Sequence, residues 1–92
     1  MRINNKKDVS EYLNIPKNEI NFFYKYNNNI WHYQDKNKYC HLFKLINNQW
    51  IELTKNIKTI GCWYFENEYW GYQDENKILY KFNKNNELIS KY

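Results

Sequence analysis

From residue 20 onward the apolar positions fall into eight short runs, separated by short polar breaks and one longer stretch at 54–59. Runs of this length, rich in Tyr, Trp, Phe and Ile, predict strands over 20–26, 30–35, 39–46, 49–53, 60–66, 69–74, 78–83 and 87–91. The breaks between them, such as Asn27-Asn28-Asn29, Asn47-Asn48 and Asn85-Asn86, have turn-forming chemistry. Ahead of residue 20 the period changes. Val9, Tyr12 and Leu13 lie at helical spacing, Asp8 is placed to cap them, and Pro16 closes the segment. This predicts a short helix over 8–15.

The runs also repeat. WHYQDKNK at 31–38 returns as WGYQDENK at 70–77, 39 positions later. Upstream, FYKYNNNIW (23–31) lies over CWYFENEYW (62–70); downstream, YCHLFKLINNQWIEL (39–53) lies over ILYKFNKNNELISK (78–91), with one residue lost in a loop. The expected organisation is one domain over 1–92, with repeat units at 20–54 and 59–92 behind the helix. Its fold class is mainly β: two tandem four-stranded antiparallel meanders. In the shared phrase, Asp35 and Asp74 can bond the backbone two residues on, and Asn37 and Asn76 tolerate left-handed backbone. Residues 35–38 and 74–77 are therefore expected to be hairpin tips.

Closing the hairpins at those tips gives a register. Pairing Gln34 with Tyr39 and Tyr26 with Asn29 sets His32 across from His41 and Tyr24 across from Trp31. Side chains alternate across a strand. One face of the first unit then collects Phe22, Tyr24, Trp31, Tyr33, Cys40, Leu42, Ile51 and Leu53. Its counterpart holds Trp63, Phe65, Trp70, Tyr72 and Leu79. These are the expected core faces, with Trp31 and Trp70 at their centres. The reverse faces gather Phe23, Ile30, His32, His41, Phe43, Leu45 and Trp50, then Cys62, Tyr64, Tyr69, Tyr80 and Phe82. A sheet with one solvated side alternates apolar with polar. These strands do not, so both faces require cover.

The stretch YCHLFKLINNQWIELTK (39–55) resembles the last two strands of a kelch-type propeller blade, through Tyr39, Phe43, Asn47-Asn48, Trp50 and Leu53. The paired glycines of kelch strands are absent, and Leu88 stands where the second unit should repeat the Trp. The resemblance implies blade-like meanders. Two blades cannot close a ring, so the units are expected either to close as a small barrel or sandwich or to assemble into an oligomeric propeller. Some small lectins are built in the second way and bind sugar between blades. DVSEYLNIPKNEI (8–20) is similar to the opening of excisionase-type helix-turn-helix domains, at Val9, Ser10, Leu13 and Ile15. That resemblance implies a DNA-reading helix over 17–26, in competition with the strand the repeat places there.

Composition supports the β reading. Aromatic residues make up 21% of the chain, Ala is absent, and there are two Gly and one Pro. Large aromatic side chains allow 92 residues to bury a workable core. Asn, Lys, Ile, Tyr and Phe share AT-rich codons, which points to an AT-rich bacterial, phage or viral genome. The same skew discounts the net charge of +4 as a nucleic-acid signal, since the lysines are spread rather than clustered. No apolar run reaches the length of a membrane span, and MRINNKKDVSEY has no signal-peptide core. The expected location is the cytoplasm, including a host's. There Cys40 and Cys62 read as buried apolar residues rather than a bridge or a metal pair.

No catalytic pattern is found: there is no Gly-rich phosphate loop and no nucleophile elbow. Cys40 and His41 are chain neighbours on a strand and point apart, which spoils a nucleophile–base pair. His32 and His41 would offer two ligands to zinc or copper, with Glu52 the one further candidate, short of a stable site. Neither enzyme activity, metal nor cofactor is expected. The leading expectation is a non-enzymatic binding protein of the phage or mobile-element inhibitor, anti-defence or immunity kind. It would occlude a protein or nucleoprotein partner through the reverse aromatic face. Trp50, Tyr64, Tyr69 and Tyr80 would be the contact residues, with Lys25 and Lys44 beside them. The alternatives are an oligomeric lectin-like protein or nucleotide sponge with sites between blades, and a DNA-binding regulator using residues 8–26.

Overall fold

A computed structural model describes residues 2–92. Helix α1 (Lys6–Leu13) precedes eight strands: β1 (Ile20–Asn27), β2 (Ile30–Asp35), β3 (Cys40–Ile46), β4 (Gln49–Glu52), β5 (Thr59–Phe65), β6 (Tyr69–Asp74), β7 (Leu79–Phe82) and β8 (Leu88–Lys91). They form two four-stranded antiparallel meanders in sequential order, β1–β4 and β5–β8. No helix among the described residues is long and apolar enough to cross a membrane.

The helix starts two residues earlier than expected, because Asn5 is its cap. The Asn5 side chain accepts from the Asp8 N–H, and Asp8 in turn accepts from the Asn4 N–H at 2.8 Å. Asp8 is thus the third helical residue, in the first turn, reaching back in the manner of a capping box to the residue before the cap, rather than the cap itself. Asn14 ends the helix in left-handed backbone, with φ of 56°. Residues 17–19 make one 3-10 turn and β1 begins at Ile20, so the DNA-reading helix implied for 17–26 does not form.

The hairpin tips carry the repeat into local structure. Asp35 Oδ1 accepts from the Asn37 and Tyr39 N–H groups, and Asp74 Oδ1 accepts from Asn76 and Ile78 in the same way. Asn83 repeats the pattern with Asn85 and Glu87. Positive φ falls on Lys38 (71°) and Lys77 (68°) rather than on Asn37 and Asn76, and in the third tip on Asn86 (64°). Each tip is a turn that closes on a left-handed residue, which pairs Asp35, not Gln34, with Tyr39 and makes the loop one residue shorter than expected.

That one-residue shift corrects the register. Gln34 faces Cys40 and Tyr33 faces His41. In the first hairpin an irregularity between Lys25 and Asn27 sets Tyr24 opposite His32. One-residue slips exchange faces. The front of the first sheet therefore carries Trp31 and Tyr33 together with Phe23, His41, Phe43, Leu45 and Trp50. Its back carries Phe22, Tyr24, Ile30, His32, Cys40, Leu42 and Ile51. In the second sheet Trp70 and Tyr72 share a face with Cys62, Tyr64, Tyr80 and Phe82, while Trp63, Phe65, Tyr69 and Leu79 lie on the reverse.

Both fronts have the same aromatic construction. Trp31 stacks on Phe43 at 4.3 Å, as Trp70 does on Phe82; Tyr33 stacks on His41 at 4.6 Å, and Tyr72 on Tyr80 at 4.7 Å. Trp31 is 0% exposed and Trp70 4%, which makes both central core residues. The two fronts are covered differently. Ile3, Val9, Leu13 and Ile15 of the N-terminal segment close the first. The second packs onto the back of the first sheet, where Ile30, Cys40 and Leu42 meet Cys62, Trp70 and Tyr72. The stacking is front to back, like successive blades, and the sheets do not close into a barrel.

The crossover between sheets is made by buried threonines. β4 is short, so the Cys40–Leu42 end of β3, paired with β2 on one side, has no strand on the other. Leu53 donates to the Leu42 carbonyl at 2.8 Å, Leu42 donates to Thr54 Oγ1, and Thr59 Oγ1 donates to the Cys40 carbonyl. Thr54 and Thr59 are 1% and 0% exposed, so these bonds satisfy groups that water does not reach. The expectation for the cysteines is corrected at the same seam: Cys40 and Cys62 are joined by a disulfide that links the two sheets. Spacing along the chain did not suggest it, because the stacking of the two units is what brings positions 40 and 62 together.

Candidate functional site

The six residues expected to form one contact face are distributed over several surfaces. Trp50 is buried in the first front, with its ring edge-on to Trp31 at 5.6 Å. Tyr64 is half-buried between the sheets against Tyr26, at 5.8 Å. Tyr80 stacks on Tyr72 and donates its hydroxyl to Asp74 Oδ2 at 3.2 Å. Lys25 donates to Asn4 Oδ1 at 2.6 Å and so holds the N-terminal segment to β1. Lys44 lies on the back of the first sheet, 3.6 Å from Glu68 at the tip of the β5–β6 hairpin. Tyr69 alone belongs to the reverse of the second sheet.

That reverse face has no counterpart of the cover its repeat partner enjoys. The back of the first sheet is roofed by the second sheet; the back of the second carries Trp63, Phe65, Tyr69, Leu79 and Lys81 with no further layer among the described residues. Phe65 and Leu79 are each 37% exposed. Lys81 Nζ sits 5.1 Å from both the Phe65 and the Tyr69 ring centres, so the charge rests on aromatic faces rather than on a carboxylate. Trp63 lies over Gly71, the position where the first unit has His32; a Cβ there would fall 2.5 Å from the Trp63 ring. A second open strip runs along β1, where Phe22 and Tyr24 flank His32 and remain about half exposed.

The two histidines lie on opposite faces of the first sheet, so they make no shared metal site. His41 is gripped on the front: Nδ1 is 2.7 Å from Glu52 Oε2, and Nε2 is 2.8 Å from Asp35 Oδ2. Burial alone would lower its pKa, but the bonds and charges of Glu52 and Asp35 outweigh that and raise it above the ordinary histidine value. Asp35 shows the complementary balance: burial works to raise its pKa, and the bonds from His41, Tyr39 and Asn37 bring it below the usual value. The chemistry of this triad is that of a clamp between a hairpin tip and β4.

His32, on the back, is pushed down to about 4 by burial and is neutral at ordinary pH. Its Nδ1 is 2.8 Å from the Tyr26 hydroxyl, whose own pKa burial raises to about 12. Its ligand nitrogen and the sulfurs of Cys40 and Cys62 lie within 4.8 Å of one another. This grouping was missed in the sequence. The signal lay in the repeat alignment, which sets Cys62 over Phe23 on a front face, but nothing there showed that a front would dock on a back.

No protein-family model, curated protein or solved structure matches this chain.

Proposed function

We propose that this chain is a non-enzymatic binding protein that works by docking a protein partner on the open face of its second sheet. The observation behind this reading is the asymmetry of the repeat. Two units share an aromatic construction, and the surface covered in the first is bare in the second. Trp63, Phe65 and Tyr69 present broad, stiff contact area, and Lys81 adds one charge among them. This is the composition of interface centres, where a few aromatic anchors carry most of the affinity. Tyr69 remains a contact residue on this reading, whereas Trp50, Tyr64 and Tyr80 support the sheets. An inhibitor or immunity role, in which occupancy of the partner is itself the activity, requires nothing more than such a face. We place the protein in the cytoplasm, where a Cys40–Cys62 pair is held mainly as the dithiol.

The ring-assembly alternative is disfavoured by the helix. Head-to-tail blades would need the front of the first sheet, and α1 fills it. The test is paired affinity capture with wild type and with Phe65→Ser/Tyr69→Ala, after circular dichroism and thermal melting have shown that both are folded. Loss of one defined partner by at least about tenfold in the variant supports the reading, as expected for anchors worth 2 kcal/mol or so. Equal retention by both proteins refutes it. A wild-type dimer that the double variant converts to monomer would instead assign the face to self-association.

A further inference from the structure

We propose that Cys40, Cys62 and His32 form a redox-gated metal site between the two sheets, closed as a disulfide when oxidised and able to bind Zn2+ when reduced. The three side chains come from β3, β5 and β2, and their ligand atoms fall within 4.8 Å of one another. The Cα atoms of the cysteines are 6.1 Å apart. With Zn–S bonds of about 2.3 Å, tetrahedral coordination needs the sulfurs about 3.8 Å apart. Rotation about the two Cα–Cβ bonds supplies that separation without moving the sheets. The Tyr26 hydroxyl at His32 Nδ1 fixes the imidazole plane, the usual role of a partner behind a metal-bound histidine. Two thiolates and an imidazole suit zinc, and the fourth position is left to water.

The gating step balances as a thiol–disulfide exchange. A dithiol reductant gives two electrons and two protons; the Cys40–Cys62 bond breaks to two thiols, and the reductant leaves as its own disulfide. Zn2+ then replaces the two thiol protons, which pass to solvent, and accepts the His32 lone pair. Either state ties β3 to β5, so the sheets remain linked through the change.

The experiment is an anaerobic titration of Co2+ into the full chain, reduced with a phosphine and checked for native circular dichroism. Expected are one cobalt per chain, sulfur-to-cobalt charge-transfer absorption, the visible bands of a tetrahedral ion, and displacement by Zn2+. The oxidised protein should show none of these. His32→Gln should bind at least about tenfold more weakly. Zn2+ should also shift the His32 ring resonances of reduced wild type while leaving those of His41 unchanged, a readout that needs no variant. Absence of the charge-transfer band in the reduced protein, or unmoved His32 resonances on adding zinc, would overturn the proposal.

Discussion

Gly71 is one point at which the second unit departs from the first, and its replacement tests how the outer face is built. In the first unit the same place holds His32, with the Tyr24 ring 5.9 Å away. In the second, Trp63 lies directly over the glycine. An added Cβ would fall 2.4 Å from the Tyr80 carbonyl oxygen and 2.5 and 2.7 Å from two atoms of the Trp63 indole. Real Cβ contacts stay beyond 3.0 Å, and the Tyr80 oxygen belongs to the backbone of the neighbouring strand, so it cannot swing aside like a side-chain tip. Gly71→Ala must therefore push β7 away, lift Trp63, or both. Overpacking of this sort costs about 1–3 kcal/mol, and each kcal/mol lowers the Tm of a domain this size by roughly 4–8 °C. Gly61→Ala is the control: nothing lies within 4 Å and its φ is not positive. It should be neutral or stabilise by about 0.4–1 kcal/mol through the unfolded chain. Thermal and urea unfolding of both variants, oxidised and at one pH, decides the matter. An unchanged Tm for Gly71→Ala, or an equal drop for Gly61→Ala, would refute the reasoning.

The other predictions concern the clamp, the seam and the turns. Reducing the Cys40–Cys62 bond, which spans 22 residues, should cost up to about 3 kcal/mol by loop entropy, seen as a lower urea midpoint without metal. The raised pKa of His41 means that its contribution is complete below about pH 6.5 and is lost as pH rises through the folded value. Asp35 acts oppositely: its contribution is complete above about pH 3.8 and is lost as pH falls through its lowered value. With Tyr33, Asp35 and Glu52 facing the ring, and Tyr39 and Lys58 lining the same hollow, His41→Gln should remove the stability loss seen as pH rises from about 6.5 through the folded value. An unaltered slope would show that His41 is not the responsible group. Asp74→Ala strips the acceptor from two backbone N–H groups and a tyrosine hydroxyl and should cost about 1–2 kcal/mol by denaturant unfolding.

The sequence by itself determined the local layer of this protein. Eight strands, their order, the two repeat units and the hairpin tips follow from short-range information: apolar runs of strand length, Asp and Asn at turn offsets, and a phrase written twice. Trp31 and Trp70 were legible as core because each sits in mid-strand amid other large apolar residues. Side-chain facing was decided only in three dimensions. A loop one residue shorter than expected at the Asp35 tip and an irregularity at Tyr26 slide the ladder by one place, and a period of two turns that slip into an exchange of faces. Exchange of faces moved Trp50 into the core and separated His32 from His41. Stacking was decided at the same level. Both units offer an aromatic front, and only the tertiary structure assigns α1 to one and the back of the first sheet to the other. The disulfide, the His32–Cys40–Cys62 cluster and the bare outer face all follow from that choice. Each depends on surfaces meeting across tens of residues of chain, which no local pattern encodes.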